Sequence, residues 1–202
     1  MNSDWFNRVC MSALGHRTSQ EQTYQIAKLM LEAGIPGDFV ECGVYAGASC
    51  AIMARAIMDH SSHWGRKVHL FDTFAGIPAP GEHDGHLFAN NGGESACPIE
   101  GVRANMQTWE IPDELLVYHQ GLFADTVPLA VEYSKRRTLE AIALLRLDGD
   151  LYESTRVPLL HLYPIVSRGG YVIVDDYDLD GARKAVNDYF GGAPAPMLFR
   201  KP

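Results

Sequence analysis

Five short stretches of this chain are apolar almost without interruption: Asp38 to Val44, Val68 to Phe71, Leu115 to Tyr118, Ala141 to Leu147 and Tyr171 to Val174. A strand with one wet face alternates apolar and polar residues. Continuous apolar runs instead suit strands covered on both faces, which is the condition of a parallel sheet. Helical stretches separate the runs. Ser19 and Gln22 form a capping-box pattern ahead of Ile26, Leu29, Met30 and Ala33, and Gly34 and Pro36 stop that helix. Ala48 to Met58 is dense in good helix formers, and further helices are expected after Asp125 or Thr126, after Ser154 or Thr155, and after Asp180, each a plausible N-cap. Strand then helix, repeated, predicts an α/β fold with a doubly wound, mostly parallel sheet, and Met197 to Arg200 is a candidate for a short last strand.

The 202 residues, 47% hydrophobic and 21% charged, suit one domain over 1–202, with residues 1–37 as a helical lead-in. Ala75 to Cys97 interrupts the rhythm. It is rich in Gly, Pro, Asn, His and acids and too long for an ordinary connection, so it is expected to be a mobile lid over a site. The net charge of −8 and the scattered basic residues, the longest group being Lys135-Arg136-Arg137, exclude a phosphate-tracking surface, so nucleic acid is not an expected partner. Cys10, Cys42, Cys50 and Cys97 have neither disulfide nor zinc-site spacing and are expected to be reduced packing residues. Met1 to Arg17 has no uninterrupted apolar core, and nowhere do eighteen apolar residues run together, so a cytoplasmic location away from membranes is expected.

Ligands of an open parallel sheet bind beyond the carboxyl ends of its strands. Acids concentrate there: Glu41, Asp72, Asp148, Asp150, Asp175 and Asp176. In ECGVYAG, Gly43 and Gly47 permit a close backbone approach to a ligand, and Ser49 can cap the helix or the ligand. The turn lacks the close glycine pair of G-x-G-x-x-G, which disfavours a dinucleotide. A carboxylate at Glu41 repels a diphosphate but attracts an ammonium group such as that of S-adenosylmethionine, and Asp72, 31 positions on, suits two ribose hydroxyls.

LDGDLYE and VDDY gather four carboxylates at two strand ends. Like charge at that density needs a neutralising cation, and hard oxygen donors without a neighbouring thiolate suit Mg²⁺; the bland alternative is solvated turns and helix caps. Asp148 and Asp150 are two apart and can emerge on one side of an extended chain, whereas Asp175 and Asp176 can both bind an ion only if the chain turns out of strand geometry there.

DFVECGVYAGAS, FDTFAGIP, GLFADTVP, LDGDLYEST, LYPIVSRGGYVIVDDY and GARKAVNDYF together resemble the macrocin O-methyltransferase family, over about Asp38 to Phe190. The family methylates deoxysugar hydroxyls on macrolides and related antibiotics. The resemblance implies a class I, Rossmann-like methyltransferase fold, S-adenosylmethionine and Mg²⁺ as cofactors, and a small hydroxylated, sugar-bearing acceptor. It implies Asp148, Asp175 and Asp176 as metal ligands and Asp150 as the base. Glu41 and Asp72 become the cofactor acids, with Gly43, Gly47 and Ser49 in the turn between them and Gly121 and Phe123 near the adenine end. It also implies a homo-oligomer, a dimer, although the family's N-terminal extension is longer than residues 1–37 and Gly191 to Pro202 falls short of its closing hairpin. Two alternatives stand beside it: a Mg²⁺-dependent hydrolase or phosphotransferase, which leaves Glu41 unexplained and lacks a P-loop lysine, and a non-catalytic partner subunit of the same fold. His83 and His86 have metal-like spacing but need further ligands, and His60 and His63 suit a solvated helix end.

Overall fold

The computed structural model describes residues 3–60, 65–85, 92–132, 138–192 and 198–201. Two helices, α1 (Ser3–Cys10) and α2 (Arg17–Glu32), precede β1 (Asp38–Cys42), α3 (Ala48–Asp59), β2 (Val68–Asp72), α4 (Ile99–Thr108) and β3 (Leu116–Gln120). Then come α5 (Phe123–Val131), β4 (Ile142–Leu147), α6 (Tyr152–His161), β5 (Val166–Val174), α7 (Asp180–Tyr189) and β6 (Leu198–Arg200). The sheet order is β3-β2-β1-β4-β5-β6. Five strands are parallel, and β6 runs antiparallel beside β5. All five apolar runs are strands, and the doubly wound expectation holds.

The continuous apolar runs are explained by burial on two sides. Phe39, Leu70, Leu144 and Ile173 pack into one cluster with α1, α2, α3 and α4, whereas Val40, Phe71, Leu145, Val172 and Val174 pack into another with α5, α6 and α7. The chain leaves β1 towards β2 and β3 on one side and reaches β4 and β5 on the other. The switch point therefore lies between β1 and β4, where a crevice opens at the carboxyl ends.

Helix α3 begins at Ala48 as expected, but other helix starts differ from the sequence expectation. α2 begins at Arg17, so Ser19 sits inside its first turn instead of capping it, and its hydroxyl donates to Asp175 Oδ1 at 2.9 Å. The N-caps of α5, α6 and α7 are Leu122, Leu151 and Leu179, none with a side-chain cap. Leu151 is buried. Where an apolar cap residue packs inward, the polar residue two or three positions on is not free to set the start. α4 carries no cap signal either, since its N-cap is Pro98.

Candidate active site

One cavity of about 480 Å³ lies at these strand ends, a volume typical of small-molecule sites. Its walls include Glu41, Gly43, Ser49, Asp72, Phe123, Asp148, Asp150, Asp175 and Asp176. Thus most of the residues singled out from sequence meet in one place. Gly47 and Gly121 do not line it.

Gly43 is required for a reason other than ligand approach. Its φ is +97°, and a Cβ there would stand 1.6 Å from the Asp148 carbonyl oxygen, so the LDGD turn itself fills the space that a side chain would need. Gly47, at φ +92°, admits Met106 and Val102 of α4. Ser49 is the second residue of α3 and donates to Gln20 Oε1 at 3.1 Å, tying α3 to α2.

Asp72 closes β2 against the glycine turn. Its Oδ2 accepts the Val44 and Tyr45 amides at 2.6 and 3.1 Å, and its Oδ1 accepts the Phe74 amide at 2.8 Å. A carboxylate has about four acceptor positions; three take these amides, and the Thr73 hydroxyl lies more loosely at 3.4 Å from Oδ1.

Arg146 was not among the residues identified from sequence, and it organises the site. It pairs in register with Glu41 across β4 and β1, and in-register neighbours of a parallel sheet share a face. That face is the one covered by α2. Arg146 is fully buried, and its Nε donates to Glu41 Oε1 at 2.8 Å. Nη2 donates to Asp148 Oδ2 at 2.8 Å, and Nη1 to Asp175 Oδ1 at 3.0 Å. One guanidinium thus neutralises part of the charge that the sequence pattern assigned to a metal alone. The only hint in sequence is a single charge inside an otherwise apolar strand, ALLRL.

Glu41 is 1% exposed, and its Oε2 accepts the Cys50 thiol at 2.7 Å. Burial pushes its carboxyl up to about 7, and Arg146 opposes that shift. Burial raises Asp148 too, against Arg146, while burial and neighbouring aspartates push Asp150 up to about 6 and Asp176 up to about 9. The acids are still poorly compensated by Arg146 alone.

β5 ends at Val174, and Asp175 and Asp176 lie in the turn beyond it, as the double-ligand expectation requires. Asp150 departs from the extended geometry used to relate it to Asp148. Its φ is +61°, and its amide donates to Asp176 Oδ2 at 2.9 Å, which locks the two acid-bearing turns together. Among the described residues, Asp148, Asp175 and Asp176 form the one group of three that can hold a metal, each offering an oxygen within 4.8 Å of the others. The all-oxygen set fits a hard divalent cation. Arg146 uses Oδ2 of Asp148 and Asp150 uses Oδ2 of Asp176, and Oδ1 of each takes no hydrogen bond from the described residues.

His83 packs edge-on against Tyr152, with ring centroids 4.5 Å apart, and His60 contacts the Ala56 carbonyl at a helix end. His63 and His86 lie outside the described residues. All four cysteines are free thiols. No helix is long and apolar enough to cross a membrane among the described residues.

Residues 1–193 match the family Macrocin-O-methyltransferase (TylF). The chain belongs to this family. It is 36% identical over 197 residues to 8-demethyl-8-(2,3-dimethoxy-alpha-L-rhamnosyl)-tetracenomycin-C 4'-O-methyltransferase of Streptomyces olivaceus, covering 95% of this chain and 71% of that protein. It is 38% identical over 176 residues to demethyldecarbamoylnovobiocin O-methyltransferase of Streptomyces niveus, covering 84% of this chain and 64% of that protein. The O-methyltransferase NovP has the same fold, with a TM-score of 0.81, 32% identity and coverage of 94% of this chain and 82% of its own. Membership in the macrocin O-methyltransferase family favours methyl transfer over the hydrolase and phosphotransferase alternative, and the fold is that of the class I methyltransferases.

Proposed function

We propose that the chain methylates a hydroxyl of a small sugar-bearing natural product, using S-adenosylmethionine and Mg²⁺. The observation that carries this is the meeting of six acids in one cavity: Glu41 and Asp72 on the β1–β2 side, and Asp148, Asp150, Asp175 and Asp176 on the β4–β5 side. Two subsites of that kind suit a donor with an ammonium and a ribose on one side and an acceptor hydroxyl on the other. When bound, adenosylmethionine supplies an electrophilic methyl group and Mg²⁺ a Lewis-acid charge beside the acceptor oxygen.

The chain's own residues do the rest. Glu41, at the cavity wall and held by Arg146 and Cys50, shapes the side that would receive the donor's ammonium group, and Asp72 presents its carboxylate to the ribose. Phe123 lines the adenine side. Asp148, Asp175 and Asp176 would hold the ion, with Arg146 fixing the first two. Asp150 takes the acceptor proton, because a neutral hydroxyl is a weak nucleophile, and a positioned carboxylate contributes on the order of 10² to 10⁴ in rate.

Methyl transfer from labelled adenosylmethionine to a panel of glycosylated hydroxyl compounds tests this, with and without exhaustive chelation. Activity should require Mg²⁺, while adenosylmethionine binding survives chelation. Full turnover after chelation refutes the metal role, and labelling of no hydroxyl compound refutes the acceptor class.

A further inference from the structure

Among the described residues outside the acid cluster, one buried carboxylate joins the segment over the cavity to the turns that carry the chemistry. Asp84 lies in the 75–97 segment and is 5% exposed. Its Oδ2 accepts the Gly81 amide at 2.6 Å, closing a tight turn within that segment. Its Oδ1 accepts the Tyr152 amide at 2.6 Å, across 68 positions of sequence. Tyr152 is the first residue of α6, and the N-cap Leu151 offers no side-chain bond. Asp84 therefore does for α6 what a local Ser or Asp would otherwise do, and its charge meets the positive end of the helix.

The same oxygen fits against a second helix start. A Cβ at Gly181, in the first turn of α7, would stand 2.1 Å from Asp84 Oδ1, so the socket exists only because residue 181 has no side chain. Each wall of this socket leads directly to an acid-bearing turn. Tyr152 follows Asp150 by two residues, and α7 follows the Asp175-Asp176 turn, which is held by the Leu179 amide on the Asp176 carbonyl at 2.9 Å. Gly76, Ile77, Pro78, Ala79 and Gly81 of the same segment line the cavity. His83 adds its edge-on contact with the Tyr152 ring.

We infer that Asp84 is a positioning residue that latches residues 75–85 over the cavity and, in the same bond, fixes the backbone that carries Asp150. Residues 76–81 stay over the cavity only while the Asp84 carboxylate occupies the α6 terminus. Closure and base alignment are therefore one event, because the left-handed Asp150 is held from one side by Asp176 and, two residues on, by Asp84.

The inference rests on the proposed role of Asp150 for its catalytic half, so the test has one readout that needs no turnover. Amide exchange at Gly81 and Tyr152 is measured in the full chain and in Asp84→Ala, Asp84→Asn and Gly181→Ala, together with kcat and KM. Gly181→Ala suits a helix interior by propensity, and its Cβ would meet both Asp84 Oδ1 and the Tyr152 nitrogen, so it closes the socket by driving Asp84 and the α6 terminus apart. Asp84→Ala and Gly181→Ala should speed exchange at both amides by about 10- to 100-fold, the range for losing a hydrogen bond to a charged group, while β-strand amides stay as in the wild type. Turnover should fall about 10-fold or more with KM for adenosylmethionine changed little, and Asp84→Asn, which keeps an acceptor oxygen, should fall between. Unchanged exchange at Tyr152 in both Asp84→Ala and Gly181→Ala overturns the latch. So does exchange that rises throughout the sheet, which marks general destabilisation. Faster local exchange with unchanged kcat overturns the positioning role. If no compound is methylated even by the wild type, the function proposed above fails, while exchange still decides the latch.

Discussion

Replacing Arg146 by methionine removes the one cation shared by Glu41, Asp148 and Asp175 and keeps a side chain of similar reach. Breaking a buried ion pair by removing one partner destabilises by about 3–5 kcal/mol, because the remaining charge stays desolvated. Here three carboxylates lose their partner, but each has an escape. Asp148 and Asp175 border the cavity and can recruit water, and Glu41, already pushed up to about 7, takes a proton once the guanidinium is gone. The low end, about 3 kcal/mol, is therefore expected at neutral pH. For a domain of this length each kcal/mol moves the midpoint by about 2–4 °C, which gives a fall of roughly 6–12 °C. Mg²⁺, held by Asp148, Asp175 and Asp176 as proposed, would supply a replacement charge to two of the three acids. Added Mg²⁺ should therefore raise the melting midpoint of Arg146→Met more than that of the wild type, up to about 2.7 kcal/mol at 100 times its dissociation constant. Thermal unfolding with and without Mg²⁺, checked by denaturant titration, measures both effects. A loss below about 1 kcal/mol refutes the assignment of Arg146 as the buried counter-charge. Equal Mg²⁺ stabilisation of the two proteins refutes the sharing of carboxylates between ion and arginine.

Three other perturbations separate chemistry from architecture. Asp150→Asn should lower turnover by about 10²-fold and resist rescue by added metal, whereas Asp176→Asn should recover in part at high Mg²⁺; steady-state kinetics across a metal titration checks both. Gly43→Ala should destabilise by more than about 4 kcal/mol, since its Cβ meets the Asp148 carbonyl at 1.6 Å, while Gly191→Ala, with φ +77° and open space, should lose only about 1–2 kcal/mol in denaturant titrations. His119, stacked on Phe71 with centroids 3.9 Å apart, is pushed down to about 3 by burial and by His69. Below pH 6.5 the unfolded chain gains a proton that folded His119 refuses, so stability should decline as pH falls from 6.5 towards 3, by up to about 1.4 kcal/mol per pH unit, and His119→Gln should flatten that decline between pH 6.5 and 5.

The sheet and the position of the site were legible in sequence because both rest on short-range rules. A strand buried on two faces must be apolar at consecutive positions, and an acid that ends such a run marks the carboxyl edge where a crevice opens. Glu41, Asp72, Asp148, Asp175 and Asp176 were found in that way. The start of α3 at Ala48 was legible, but those of α5, α6 and α7 were not, because their caps at positions 122, 151 and 179 are leucines that carry no capping signal, and α6 takes its polar cap from Asp84, 68 positions away. Arg146 escaped for a related reason. Its charge is tolerated inside a buried strand only through partners on β1, on the turn after β4 and on the turn after β5, and no local pattern reports such a convergence. Crowded like charges demand counter-charges, and sequence does not say whether the chain or an ion provides each one. In this site the chain provides the first, at the β1–β4 switch point. The carboxyls of Asp150 and Asp176 are raised first by burial and then by their acidic neighbours, so the turns after β4 and β5 are the side of the cavity that Arg146 compensates least.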